Sequence, residues 1–246
     1  GMKPVVAIYS TFFQRAYDQI IHDVCIGKLP VVFAVDRAGL VGSDGETHQG
    51  IFDISYFNSM PNMTVMAPKN VWELDKMLEF AVNFDGPIAV RYPRGKAYTG
   101  LDEFTDNIEY GKSEVIAKGG DIALIAVGSM VETAWEVKKL LEDKGVDVSV
   151  VNARFIKPID EAMLSETVSR HHFIVTMEEG ILTGGFGQSV SHWCQENAKE
   201  MPVIKNIALP DKFIEHGSVD LLKKKYEIDA LSIAKKIAEW RQNERA

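Results

Sequence analysis

Short apolar runs alternate along the chain with stretches in which apolar residues recur every three or four positions. The first run is residues 5–9, followed by a helical pattern over 13–26. A second run covers 31–35, a polar loop fills 36–50, and a helix is predicted through residue 59. Residues 63–66 give a third strand and residues 88–92 a fourth. Between them Val71, Leu74, Met77, Leu78 and Ala81 fall at i, i+3, i+4 spacing and predict a helix over 70–83. The strand runs are apolar throughout rather than alternating, which points to a parallel sheet covered on both faces.

The pattern weakens between residues 94 and 120, where glycine, lysine and acidic residues dominate. This predicts a linker and an edge hairpin, with 113–118 as its first arm and Gly119-Gly120 as its turn. Alternation then resumes. Strands are predicted at 122–127, 146–151, 173–177 and 203–208, and helices at 131–144, 161–169, 188–198, 219–226 and 231–241. Regular β–α alternation predicts an α/β fold of two parallel-sheet units. Their bounds are 1–97 and 121–246, joined by 98–120.

Composition narrows the partners. Apolar residues make up 46% and charged residues 25% of the 246, as in an ordinary globular chain. No apolar run approaches the ~20 residues of a membrane-spanning helix. With 27 basic against 35 acidic residues the net charge is −8, so neither nucleic acid nor an anionic membrane is an expected partner. Two cysteines far apart, Cys25 and Cys194, form no disulfide framework and suit a reducing cytoplasm. Gly-Met-Lys-Pro leads straight into the first strand and has no features of a signal peptide.

Ligands of open α/β sheets bind beyond the carboxyl ends of the strands. Tyr9, Phe12 and Arg15 follow the first strand, Arg37 follows the second, and Arg94 follows the fourth. Arg37 and Arg94 should face one crevice, where two planar guanidinium groups suit a phosphate or carboxylate. In the glycine-flanked loop between Gly42 and Gly50, His48 stands four residues after Asp44, a spacing suited to proton transfer or to orienting a hydroxyl. The plainer alternatives are a surface ion pair for either arginine and a structural role for His48. Elsewhere the plain reading leads. His171-His172 is read as a loop end, the Gly-Gly-Phe-Gly run at 184–187 as close packing, and Cys25 as core. Glu178-Glu179 is read as solvated or interfacial, and Lys223-Lys224-Lys225 as a solvated helix face.

These residues carry a resemblance. The segments LPVVFAVDRAGLVGSDGETHQGIFDISY, DGPIAVRYPRG, RFIKPID and MEEG, with KPVVAIYSTFFQRAYDQIIHDV before them, resemble the C-terminal part of the 1-deoxy-D-xylulose-5-phosphate synthase family, transketolase-like enzymes that use thiamin diphosphate. The resemblance covers essentially the whole chain. It implies a partial pyrimidine-binding domain followed by the transketolase C-terminal domain. The diphosphate-binding domain, with its magnesium ligands, and the glutamate that contacts the pyrimidine are expected to precede the present first residue.

The resemblance further implies condensation of pyruvate with D-glyceraldehyde 3-phosphate, with loss of carbon dioxide. It assigns Phe12 to stacking on the aminopyrimidine and Arg15 to a place beside it. Tyr9, Arg37 and Arg94 would hold the substrate phosphate, and Asp44 and His48 would orient the acceptor near the reacting carbons. It implies a cytoplasmic homodimer, and a chain inactive alone, with exposed apolar surface that favours self-association. The alternatives are a β-type subunit of a split transketolase or 2-oxoacid dehydrogenase, and a non-catalytic α/β assembly module.

Overall fold

A computed structural model describes residues 1–245. Among them the strands form two five-stranded sheets, ordered β1-β2-β4-β3-β8 and β10-β9-β6-β7-β5. The first contains β1 (Val5–Tyr9), β2 (Val32–Asp36), β3 (Thr64–Met66), β4 (Ile88–Arg91) and β8 (Phe155–Lys157). The second contains β5 (Glu114–Ala117), β6 (Ile122–Ala126), β7 (Val148–Asn152), β9 (Phe173–Ile181) and β10 (Val203–Leu209). Only β8 and β5 run antiparallel to their neighbours among the described strands. The central strands β4, β6 and β7 are buried at every residue. Their uninterrupted apolar runs follow from that double-sided burial.

Strand β8 departs from the expectation. A piece of the second unit closes the edge of the first sheet against β3. Ala67 N–H donates to the Arg154 carbonyl at 2.9 Å, and Lys157 Nζ donates to the Asn58 and Met60 carbonyls at 2.8 and 2.7 Å. Three residues are too few for a periodicity to register. The expected hairpin at 113–120 is corrected as well. Strand β5 pairs with β7, not with the following β6, whose two sides are taken by β7 and β9.

Residues 13–26 are helical but irregular. A 3-10 turn (Ser10–Ala16) leads into the short α1 (Tyr17–Gln19) and then a π turn (Ile20–Cys25). The π turn matches the five-residue spacing of the buried Ile20 and Cys25, and Ile26 N–H reaches back to the Ile21 carbonyl at 3.0 Å. The regular helices are α2 (Asp53–Asn58), α3 (Val71–Asn83), α4 (Met130–Glu142), α5 (Glu161–Arg170), α6 (Phe186–Asn197), α7 (Val219–Lys225) and α8 (Ala230–Arg245). Asn70 caps α3 by accepting the Glu73 N–H at 3.0 Å, and Ser218 caps α7 through the Leu221 N–H. One apolar cluster runs through both units, joining Phe13, Phe33 and Phe57 to Ile125, Ile174 and Phe186. Strand β1 ends the first sheet with Val5 53% and Ile8 37% exposed, and Ile26 and Leu29 are exposed nearby in sequence.

Candidate functional site

The strand ends bring the candidate residues together. Tyr9 ends β1 and pairs in register with Asp36, which ends β2. Arg37 follows with φ 58°, a left-handed conformation supported by the Asp36 carboxylate, which accepts the Arg37 N–H at 2.7 Å. That turn sets the Arg37 guanidinium 3.9 Å above the Tyr9 ring, a cation–π contact of roughly 0.5–2 kcal/mol. The loop after it is closed at its base by Gly39 and Gly50, which exchange two backbone hydrogen bonds of 2.6 and 2.8 Å.

Within that loop Asp44 gathers both arginines. Arg37 Nη1 donates to Asp44 Oδ2 at 2.8 Å, and Arg94 Nη1 donates to the same oxygen at 2.9 Å. Arg94 Nη1 also reaches the Val41 carbonyl at 3.1 Å. The Phe12 ring stacks on Tyr9 at 5.7 Å and meets His48 edge-on at 5.3 Å. Arg15 lies 5.9 Å from the Phe12 ring, and Thr47 Oγ1 shares a 2.9 Å hydrogen bond with His48 Nδ1. All seven candidate residues thus form one continuous set of contacts. Asp44 serves here as the common counter-ion of two cations, a role that neither its spacing to His48 nor the resemblance had suggested. One carboxylate oxygen shared by two guanidinium groups leaves room for a second anion.

A cavity of about 360 Å³ opens beside this cluster, between the two units, lined by Arg94, Lys96, Tyr98, Glu132, Glu179 and Lys223 among others. Burial pushes the Glu132 carboxyl up, Glu136 adds to the shift, and Lys223 opposes it. Glu179 raises the pKa of Lys223 from 3.2 Å away. Lys223 therefore faces an interdomain carboxylate, which corrects its reading as part of a solvated face. The Glu178-Glu179 pair is buried between the units, 1% and 3% exposed, so the interfacial alternative stands and the solvated one does not. Glu178 accepts the Phe186 and Gly187 N–H groups at 2.9 and 2.8 Å at the start of α6. Burial nevertheless drives its carboxyl up to about 7. The Gly-Gly-Phe-Gly run does pack closely. A Cβ on Gly185 would fall 2.5 Å from a Glu178 oxygen.

Sequence reasoning missed two buried ionic groups. Arg91, at the end of β4, makes a two-pronged pair with Asp53 at 2.9 and 3.2 Å and reaches the Glu179 carbonyl at 3.2 Å. Burial disfavours its charge, but Asp53, then Glu179 and Glu178, outweigh that, and its pKa stands raised. The second group joins Lys69 and Glu73 to Glu114 and Arg154. A charged residue inside an apolar run, as Arg91 is, was the available signal. No group of three or more His, Cys, Asp or Glu among the described residues is placed to hold a metal ion.

Family models match along both units. Residues 1–99 match the transketolase pyrimidine binding domain, and residues 111–233 match the transketolase C-terminal domain. The chain is similar to 1-deoxy-D-xylulose-5-phosphate synthase of Lachnoclostridium phytofermentans, 56% identical over 98% of this chain and 39% of that protein. The synthase of Clostridium tetani is 49% identical over 96% of the chain and 38% of its own length. The chain thus spans about two fifths of the curated relatives it matches. Among solved structures, a split-gene transketolase described as an inactive β4 tetramer superposes with a TM-score of 0.87 at 28% identity, covering 97% of this chain and 76% of that one. With one domain model matched to each unit, the chain belongs to the transketolase family, its pyrimidine binding domain followed by its C-terminal domain.

Proposed function

We propose that the chain is the acceptor-binding part of a 1-deoxy-D-xylulose-5-phosphate synthase, which joins pyruvate and D-glyceraldehyde 3-phosphate into 1-deoxy-D-xylulose 5-phosphate. Carbon dioxide leaves and one proton is taken up. The observation that carries the reading is the pair of strand-end arginines meeting on one Asp44 oxygen. The substrate phosphate takes the free donors of Arg37 and Arg94, with Tyr9 holding the Arg37 plane. Asp44 and His48 then border the acceptor's hydroxyl and carbonyl groups. The His48 ring sits against the half-buried Phe12 ring, whose flat face suits an aminopyrimidine, with Arg15 alongside.

Thiamin diphosphate, when bound, supplies the electron sink for decarboxylating pyruvate. Its magnesium and diphosphate ligands are assigned to a separate diphosphate-binding domain. The bounds 1–97, 98–120 and 121–246, a cytoplasmic location and a homodimer belong to the same proposal. The test is turnover with pyruvate, glyceraldehyde 3-phosphate, thiamin diphosphate and Mg²⁺. The expected result is none from the chain alone, and product after mixing with the preceding part of the Lachnoclostridium synthase. Product from the chain alone would overturn the assignment of the metal and diphosphate ligands elsewhere.

A second reading, a β-type subunit of a split transketolase, is favoured by the likeness to the split-gene β4 structure. Activity on a ketose donor, with none on pyruvate, would select it.

A further inference from the structure

The loop that carries Arg37, Asp44 and His48 rests on the second unit. Its main anchor is Glu179 on β9, 3% exposed. Glu179 Oε1 accepts the Leu40 N–H at 2.7 Å, and Oε2 accepts the Ser129 hydroxyl at 3.1 Å and faces Lys223 Nζ at 3.2 Å. Its backbone carbonyl takes Arg91, so side chain and main chain both bind across the boundary. The approach is so close that Gly39, with φ +79°, has room for no side chain. A Cβ there would lie 2.5 Å from Glu179 Oε1. Two further bonds seat the same loop, from Gln49 Nε2 to the Glu215 carbonyl at 3.0 Å and from Gly217 N–H to the Gly42 carbonyl at 3.2 Å.

We infer that Glu179 is a positioning residue for the anion-binding loop, so that the second unit sets the affinity of a site whose arginines all belong to the first. The physical reason is rigidity. The loop contains Gly39, Gly42 and Gly45, all at positive φ, and would otherwise sample many shapes. A buried carboxylate with an amide, a hydroxyl and an ammonium around it fixes one shape, because the N–H of the buried Leu40 would otherwise be left unpaired. Arg37 and Asp44 are then held where Arg94 can join them, and the anion finds its partners already arranged.

The inference rests on Arg37 and Arg94 forming an anion site, and the experiment separates the two. The full 246-residue chain is compared with Glu179→Ala, Glu179→Gln, Arg37→Ala and Arg94→Ala. Two readouts are taken, amide hydrogen exchange of residues 36–50 and titration with inorganic phosphate. Glu179→Ala is expected to speed exchange in 36–50 and weaken phosphate binding, each about tenfold, while β4 and β6 exchange as before. Glu179→Gln keeps an acceptor for the Leu40 N–H and is expected to fall between, a rescue that simple unfolding would not give. If Glu179→Ala does not fold, Glu179→Gln carries the test, with faster loop exchange than wild type as the expected result. Exchange and phosphate binding both unchanged in the Glu179 variants would overturn the inference and leave the anion site intact. Phosphate binding indifferent to Arg37→Ala and Arg94→Ala would sink the anion site itself, and loop exchange would still decide the role of Glu179.

Discussion

Two clusters of charge in this molecule contain two cations each and differ in everything else. In the sealed cluster Lys69 and Arg154 meet Glu73 and Glu114, with side-chain exposures between 0% and 2%. Each donor nitrogen of the two cations has a partner. Lys69 Nζ also reaches the Phe104 carbonyl, Arg154 takes the Asp106 and Asn107 carbonyls, and Asn152 donates to both carboxylates. In the open cluster Arg37 and Arg94 share one carboxylate, and exposures are 22%, 41% and, for Asp44, 29%. The first has balanced charge and is closed to solvent, so it latches the linker and both units together. The second has one anion too few, and Arg94 lines the cavity between the units. Dryness demands complete pairing, so an incompletely paired group of cations at a wet strand end is where a ligand can add something.

The largest test of that contrast is stability. Glu73→Gln should cost about 3–5 kcal/mol, since it leaves buried cations short of a carboxylate. Asp44→Asn should cost under about 1 kcal/mol. Urea unfolding of both measures this, and equal costs would erase the distinction. Glu178 is an intermediate case, dry but held by two amide N–H groups rather than a paired cation. Its folded pKa, about 7, lies above the ordinary 4.5, so the folded chain binds this proton more tightly than the unfolded one. Stability from this group is therefore full below about 4.5 and falls as pH rises from there through 7. Unfolding midpoints across that window should decline by about 1–3 kcal/mol equivalent, and Glu178→Gln should flatten the slope. An equal slope in the variant would remove Glu178 as its source.

Smaller effects sharpen the open side. Arg94→Ala should weaken the phosphorylated acceptor about 10–100-fold, the scale of a charge-assisted hydrogen-bond pair, and leave pyruvate and the unfolding midpoint nearly unchanged. Equal losses for both substrates in the reconstituted enzyme would remove the phosphate assignment. Smallest of all, Asp44→Asn should raise affinity for inorganic phosphate a few-fold, because it frees both arginines from a partly exposed partner. Calorimetric titration reads this directly, and weaker binding would show that Asp44 shapes the site rather than occupying it.

Most of the site was legible because it follows the strand ends. Tyr9 ends a run of residues whose apolar character marks a strand, Arg37 and Arg94 stand just beyond two others, and parallel strands put such positions on one edge. The sealed cluster was invisible for the opposite reason. Lys69, Glu73, Glu114 and Arg154 are spread over 86 positions of the chain, and no local spacing joins the four. Glu179 was legible only as one of two possibilities, because adjacent residues on a strand point to opposite faces. Here both faces proved to be interior.

Periodicity settled most of the segments that became strands and helices, and with them the edge on which Arg37, Asp44, His48 and Arg94 would gather, since it is a local property of the chain. Folding in three dimensions settled what no local pattern encodes. It lent β8 to the first sheet, completed the buried ion cluster, made Asp44 the shared partner of two arginines, and set Glu179 against Leu40. Each of these joins segments tens to more than a hundred residues apart, within the first unit for Asp44 and Arg94 and across the two units for the rest.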